Sequence, residues 1–334
     1  MADEKTSFAQ LTDQLRSAEV AGDPWKQGIA LNNLGDFFKS QREHAKALTH
    51  FQKALQFFTA LDDQEKKGAV LNNLGGTYLD AREYQRALEH FAMALGTYGA
   101  LNQPFGQAMA LNNMGGVHLR LGHHGEARKQ FILATSFFRS AAEPTWEAQA
   151  LENLAAAEAA LGNTKAAGES YARALEVWQH LDQHDRQAMI LNRIAAMQSD
   201  KRRSLELHSR ALILAQQTKN TLLVAGTRVA LGKLYLEARN INSARSEFQA
   251  ALVLYEQFGD KRSQAATLVY LARIDFATGE DLVRTAADIY RQVGDIAGEQ
   301  AALELIKPTA SPQPTDDVNE LDSPPAEAAK AKPA

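Results

Sequence analysis

Pairs of asparagines recur along this chain at one spacing, and a side-chain amide both donates and accepts hydrogen bonds. Leu31-Asn32-Asn33-Leu34-Gly35 returns as Leu71-Asn72-Asn73-Leu74-Gly75 and again as Leu111-Asn112-Asn113-Met114-Gly115. Weaker echoes follow at Leu151-Glu152-Asn153-Leu154-Ala155 and Leu191-Asn192-Arg193-Ile194-Ala195. A row of amides can pair with the carbonyl and N–H groups of an extended peptide whatever its side chains. Each such bond contributes about 0.5–1.5 kcal/mol net, so four give roughly 2–6 kcal/mol. A micromolar complex needs about 8 kcal/mol, so other contacts must supply the remainder and the specificity. A second reading stays open: amides of adjacent units bond to one another, which also meets the demand of covered amides for partners.

Other chemistry is sparse. There is no cysteine, hence no disulfide and no thiolate ligand or nucleophile. His118, His123 and His124 cluster at a turn but straddle a helix end and Gly122, so no metal site is expected from them. No glycine-rich phosphate loop, zinc-protease helix or nucleophile elbow is present. No enzyme activity and no cofactor are therefore expected. Arg193, Lys201-Arg202-Arg203 and Arg210 form a locally basic stretch. It reads either as a contact for carboxylate or phosphate or as a solvated turn with Asp200 and Glu206 nearby. A net charge of -4 over 334 residues argues against a general nucleic-acid or anionic-membrane binder. No stretch approaches ~20 uninterrupted apolar residues, and the first ten are polar, so a cytoplasmic location is expected.

The elements that position the asparagines can be read from the same period. Pro24 to Ser40 has helical spacing at Leu31, Leu34 and Phe38, with Asp23-Pro24 as a start. After a break near Arg42, Ala47, Leu48, Phe51, Ala54, Leu55 and Phe58 mark a second helix. The pair forms an antiparallel hairpin, and the forty-residue period stacks such hairpins. Gly35, Gly75 and Gly115 recur at one site, although a glycine inside a helix costs ~1 kcal/mol against alanine. Close helix contact supplies the reason. Ala47, Ala87, Ala127 and Ala167, then Phe51, Phe91, Phe131 and Tyr171, repeat on the facing helix. Leu31 and Leu34 must face the core, so Asn32 and Asn33 flank that stripe. The fifth unit has lost three residues around Gln198 to Arg203. The sixth keeps Leu231-Gly232, Phe248 and Ala251 without an asparagine pair. The seventh, Arg262 to Val293, is shortened. Thr6 to Ala21 reads as a capping helix and Ala297 to Ile306 as a closing one. Lys307 to Ala334 holds six of the nine prolines and is expected to be disordered. The expected division is a cap over 1–22, repeats over 23–306 and a tail over 307–334.

Leu34-Gly35, Phe38, Ala47, Phe51 and Ala54, with their successors, resemble the tetratricopeptide repeat family, in the forty-residue form of kinesin light chains and many bacterial sensors. The resemblance implies an all-α, right-handed superhelical solenoid of about seven helix pairs whose first helices line a concave groove. It also implies that Asn33, Asn73, Asn113 and Asn153 point into that groove, beside Asn32, Asn72 and Asn112. Groove-side neighbours are then Asp36 and Lys39, Leu79 and Asp80, Leu119 and Arg120, and Arg193. Gly76 and Gly116 would lower the floor. The resulting expectation is a non-catalytic scaffold or adaptor holding a peptide segment of a partner protein, with no nucleic acid or membrane as partner and self-association left open. The alternative is a sensor whose superhelix changes shape when an effector binds. Only about twenty residues precede the first unit, so its output would fall to a partner or the tail.

Overall fold

The computed structural model describes residues 8–275 and 278–306. The tail expectation over 307–334 lies outside them, as do the first residues of the expected cap. Among the described residues there are sixteen helices and no strand. After α1 (Phe8–Val20), eight helices of seventeen residues follow one another with three-residue links. These are α2 (Pro24–Ser40), α3 (His44–Ala60), α4 (Gln64–Asp80), α5 (Tyr84–Ala100), α6 (Pro104–Arg120), α7 (His124–Ser140), α8 (Pro144–Ala160) and α9 (Thr164–His180).

The links explain the regularity. Arg42, Asp62, Arg82, Asn102, Gly122, Ala142, Gly162 and Asp182 all have positive φ. At each, the chain leaves the helix with paired bonds such as Arg42 N–H to Lys39 O (2.9 Å) and Glu43 N–H to Phe38 O (2.9 Å). This left-handed closure satisfies the last carbonyls and turns the chain back at once. The next residue is the N-cap of the following helix. At Asp23 and Asp63 the side chain caps it, accepting from the N–H of Lys26 and of Lys66 at 3.0 Å. Asp63 also accepts the Trp25 indole N–H at 3.1 Å, tying the first unit to the second.

Phe51, Phe91, Phe131 and Phe248 are wholly buried, each fitted against a glycine of the partner helix. A Cβ on Gly35, Gly75, Gly115 or Gly232 would lie 2.6–2.7 Å from its nearest phenyl atom. Burying each such ring stabilises by about 1.5–3 kcal/mol. The core runs on from unit to unit: Leu31, Phe51 and Phe58 share one cluster with Val70 and Leu74 of the next pair.

The described residues fall into two compact units, divided between Leu254 and Tyr255. Within the first, α2 touches α4, α4 touches α6 and α6 touches α8, whereas the intervening second helices approach one another less. First helices therefore lie on the inner side of that stack. The shortened fifth repeat is α10 (His184–Ala196) and α11 (Lys201–Gln216), followed by α12 (Thr221–Glu237) and α13 (Ile241–Phe258). The second unit comprises the end of α13 with α14 (Lys261–Ala272), α15 (Gly279–Gln292) and α16 (Ile296–Glu304). Arg262 pairs there with Asp295 at 2.6 Å and Arg291 with Glu299 at 2.7 Å.

Candidate binding face

The asparagines meet one another. Asn73 Nδ2 donates to Asn32 Oδ1 at 3.1 Å, Asn113 to Asn72 at 2.9 Å and Asn153 to Asn112 at 3.0 Å. Every rung joins positions 41 apart, linking the first helix of one unit to that of the next. All these amides are half-buried. Each rung uses one of the two amide hydrogens of the donor and one lone pair of the acceptor, so hydrogen-bonding capacity remains on both.

Both ends of the ladder differ from its middle. The side-chain amide of Asn33 has no hydrogen-bond partner among the described residues. At the far end Glu152 replaces the accepting asparagine and takes the Trp178 indole N–H at 2.8 Å. Arg193, at the next donor position, is exposed. Asn192 instead donates to Thr227 Oγ1 at 2.7 Å and accepts from His208 Nδ1 at 2.8 Å. His208 stands where the other units carry Phe51, Phe91, Phe131 and Tyr171, and burial lowers its pKa. Beside it, Ser204 donates to Ala195 O at 2.8 Å. The shortened unit thus exchanges an apolar plug for a polar network.

The remaining predicted residues separate into two groups. Asp36 is exposed overall and accepts from Asn32 Nδ2 at 3.4 Å, and partial loss of hydration raises its pKa against the opposing pull of Lys39. Lys39 reaches Asp80 of the next unit at 3.8 Å. Arg120 is exposed. Leu79 and Leu119, expected to line the groove, are half-buried and also pack against neighbouring units. Leu79 joins the Tyr78, Phe91 and Val117 cluster, and Leu119 joins that of Phe131 and Leu154. In the basic stretch, Lys201 pairs with Glu237 at 2.9 Å and Arg203 with Glu206 at 2.7 Å. No group of three or more acidic or histidine side chains capable of holding a metal occurs among the described residues. No described helix is long and apolar enough to cross a membrane.

Two cavities open beside the ladder. One, of about 590 Å³, brings Asn72 and Asn73 together with Glu65, Tyr98, Phe105 and Met109. The last three residues escape a reading of the repeated motif. The signal for them is a break in register: tyrosine at 98 where the flanking units have Phe58 and Phe138, with Gly68 and Gly106 closing on its ring. The other, of about 450 Å³, lies at the open end of the ladder against Leu11, Asn33, Asp36 and Phe37. A Cβ on Gly116 would meet nothing within 4 Å, and one on Gly76 only the flexible end of Lys39.

Comparison with known proteins agrees with this architecture. Residues 27–99 match the family model for the tetratricopeptide repeat. No curated protein matches the sequence. Among solved structures the chain is similar to BtubC (BKLC) from P. vanneervenii, with 18% identity and a TM-score of 0.56, over 75% of this chain and 92% of that one. It is similar to aspartyl phosphate phosphatase F from Bacillus subtilis, with 14% identity and a TM-score of 0.60, over 89% and 73% of the two chains. It is also similar to a Rap protein complexed with Competence and Sporulation Factor, with 16% identity and a TM-score of 0.53, over 90% and 78%. At such identities the likeness is one of fold. The matched segment, the repeated glycine–phenylalanine contacts and the helix-pair stack agree on a fold of the tetratricopeptide-repeat type with a forty-residue unit.

Proposed function

We propose that the face formed by α2, α4, α6 and α8 binds an extended segment of a partner protein, and that the chain acts as a non-catalytic scaffold. The observation carrying this reading is the cavity of about 590 Å³ in which two ladder amides meet Tyr98, Phe105 and Met109. Apolar walls with a few placed polar groups are the usual make-up of a recognition site. The amides supply backbone pairing from the capacity their rungs leave over, and the cavity accepts an apolar side chain. Gly116 leaves room for a main chain along the same face, as does Gly76 once the flexible end of Lys39 moves aside. The similar Rap protein was solved with Competence and Sporulation Factor bound, so this fold can carry such a ligand.

Selection of displayed random peptides against the full chain tests the reading, with Ala69→Arg to fill the cavity and Gly116→Arg to obstruct the face. The expected result is a peptide family whose binding both substitutions weaken at least tenfold while both variants melt cooperatively. Peptides that bind the two variants as well as the parent would place recognition elsewhere. A shape-changing sensor is the second reading, motivated by the polar plug at His208 in the shortened fifth unit. Small-angle scattering with and without a selected peptide separates the two: a sensor changes its dimensions on binding and a scaffold keeps them.

A further inference from the structure

Three of the four ladder asparagines in the donor position spend a hydrogen on the unit before them, and the first cannot. The preceding helix, α1, carries no asparagine and falls in step with the second helices of the repeat, so no first helix precedes α2 among the described residues. The amide of Asn33 is therefore left over, and it faces the cavity of about 450 Å³. The walls of that cavity are Leu11 and the Phe37 ring, and its polar groups include Gln14 and Ser40. Among the described residues, the sole charged side chain lining it is Asp36. The other units carry Gly76, Gly116 and Ala156 at the position of Asp36, so this carboxylate belongs to the first unit alone. Its nearest cation, Lys39, is drawn toward Asp80.

We propose that this cavity is a subsite for a cationic side chain, a guanidinium or ammonium group on an aliphatic stem, carried by the bound segment. The stem lies on Leu11 and Phe37, as long basic side chains do on apolar surface. The head group donates to the Asp36 carboxylate and to the Asn33 carbonyl, the charge-assisted arrangement that arginine completes best. The attraction of a counter-charge would offset the partial desolvation that raises the pKa of Asp36. The inference rests on the extended-segment reading above and assigns that segment a basic residue at the end nearest α1.

The test is a titration of the full chain, isotope-labelled at asparagine side chains, with two blocked alanine pentapeptides, one holding arginine at its centre and one citrulline. Citrulline keeps the shape and removes the charge. The expected result is a saturable shift of the Asn33 amide signals, with the citrulline peptide weaker by about tenfold, the worth of one hydrogen bond to a charged group. Asp36→Asn should bring the arginine peptide down to the citrulline level. Equal affinities for the two peptides, or Asn33 signals that neither moves, would overturn the proposal. If the amides of Asn72, Asn73 and Asn113 then still respond, the extended-segment reading survives without it. Arginine-specific shifts confined to Asn33 would keep the cationic subsite and remove the extended segment.

Discussion

Adjacent glycines in α6 should respond to the same substitution with opposite sign. Gly116→Ala adds a methyl group where nothing stands within 4 Å. It therefore gains only the helix-propensity difference, about 1 kcal/mol of added stability. Gly115→Ala gains the same propensity, but its Cβ would sit 2.6, 2.8 and 2.8 Å from three atoms of the Phe131 ring. Carbon atoms attract best at about 3.5–4.0 Å, so all three contacts are deep in the repulsive range. Phe131 is fully buried and cannot swing away, which puts the overpacking cost near the upper end of the usual range, about 3 kcal/mol. The net expectation is a loss of about 2 kcal/mol for Gly115→Ala. Urea titration followed by far-ultraviolet circular dichroism measures both variants. Stacked repeats need not unfold in one step, so the order of the midpoints is the primary readout. Stabilisation by both substitutions, or destabilisation by both, would refute the reasoning. Partial recovery of Gly115→Ala by a second change, Phe131→Leu, would locate the clash at the ring.

Three further outcomes are expected. Ala142 holds φ 57 without being glycine. Ala142→Gly should therefore stabilise by about 0.5–1 kcal/mol, the left-handed penalty less the added chain entropy, read as a raised urea midpoint. A double-mutant cycle on Asn72→Ala and Asn113→Ala should give a coupling of about 0.5–1.5 kcal/mol, and zero coupling would mean the rung is not formed in solution. His208 has its pKa lowered by burial, so on acidification the unfolded chain takes up its proton first. The associated stability is fully present above the ordinary histidine value of 6.5 and is lost as pH falls from there through the lowered folded value. His50 and His118 are shifted the same way by burial. The diagnostic is accordingly the difference between parent and His208→Phe: the variant's melting temperature should fall less between neutral and acidic pH, and parallel profiles would exclude the effect.

The repeated glycine, alanine and phenylalanine positions made the helix pairs and their close contact legible, because each unit restates one packing solution. The fate of the amides was less accessible. Asn32 and Asn73 sit 41 residues apart, and whether they meet depends on how far each hairpin is rotated on its neighbour, which no local pattern encodes. Leu79 and Leu119 illustrate the same dependence: spacing puts them on the groove side of their own helix, and the next unit also packs against them while leaving them half-buried. The cavity at Tyr98 is formed by three successive helices and their links, so its residues carry no shared motif. The deletion in the fifth unit was visible as missing residues. Its consequence becomes visible only when the register is shifted by three, which brings Ser204 and His208 onto the alanine and phenylalanine positions.

The positive-φ links recur every twenty residues from Gly22 to Asp182, so both halves of the forty-residue unit keep the same beat. Interfaces between successive units are consequently interchangeable parts. Excision of residues 64–103 would join Asp63 directly to Pro104 with the phase of the chain intact and would offer Asn113 the carbonyl of Asn32 in place of that of Asn72. Such a gene can lengthen or shorten by unequal crossing-over while the links and the glycine–phenylalanine contacts keep their phase, so its reach is free to vary faster than its fold. The fifth unit, three residues out of phase, marks where that freedom stops.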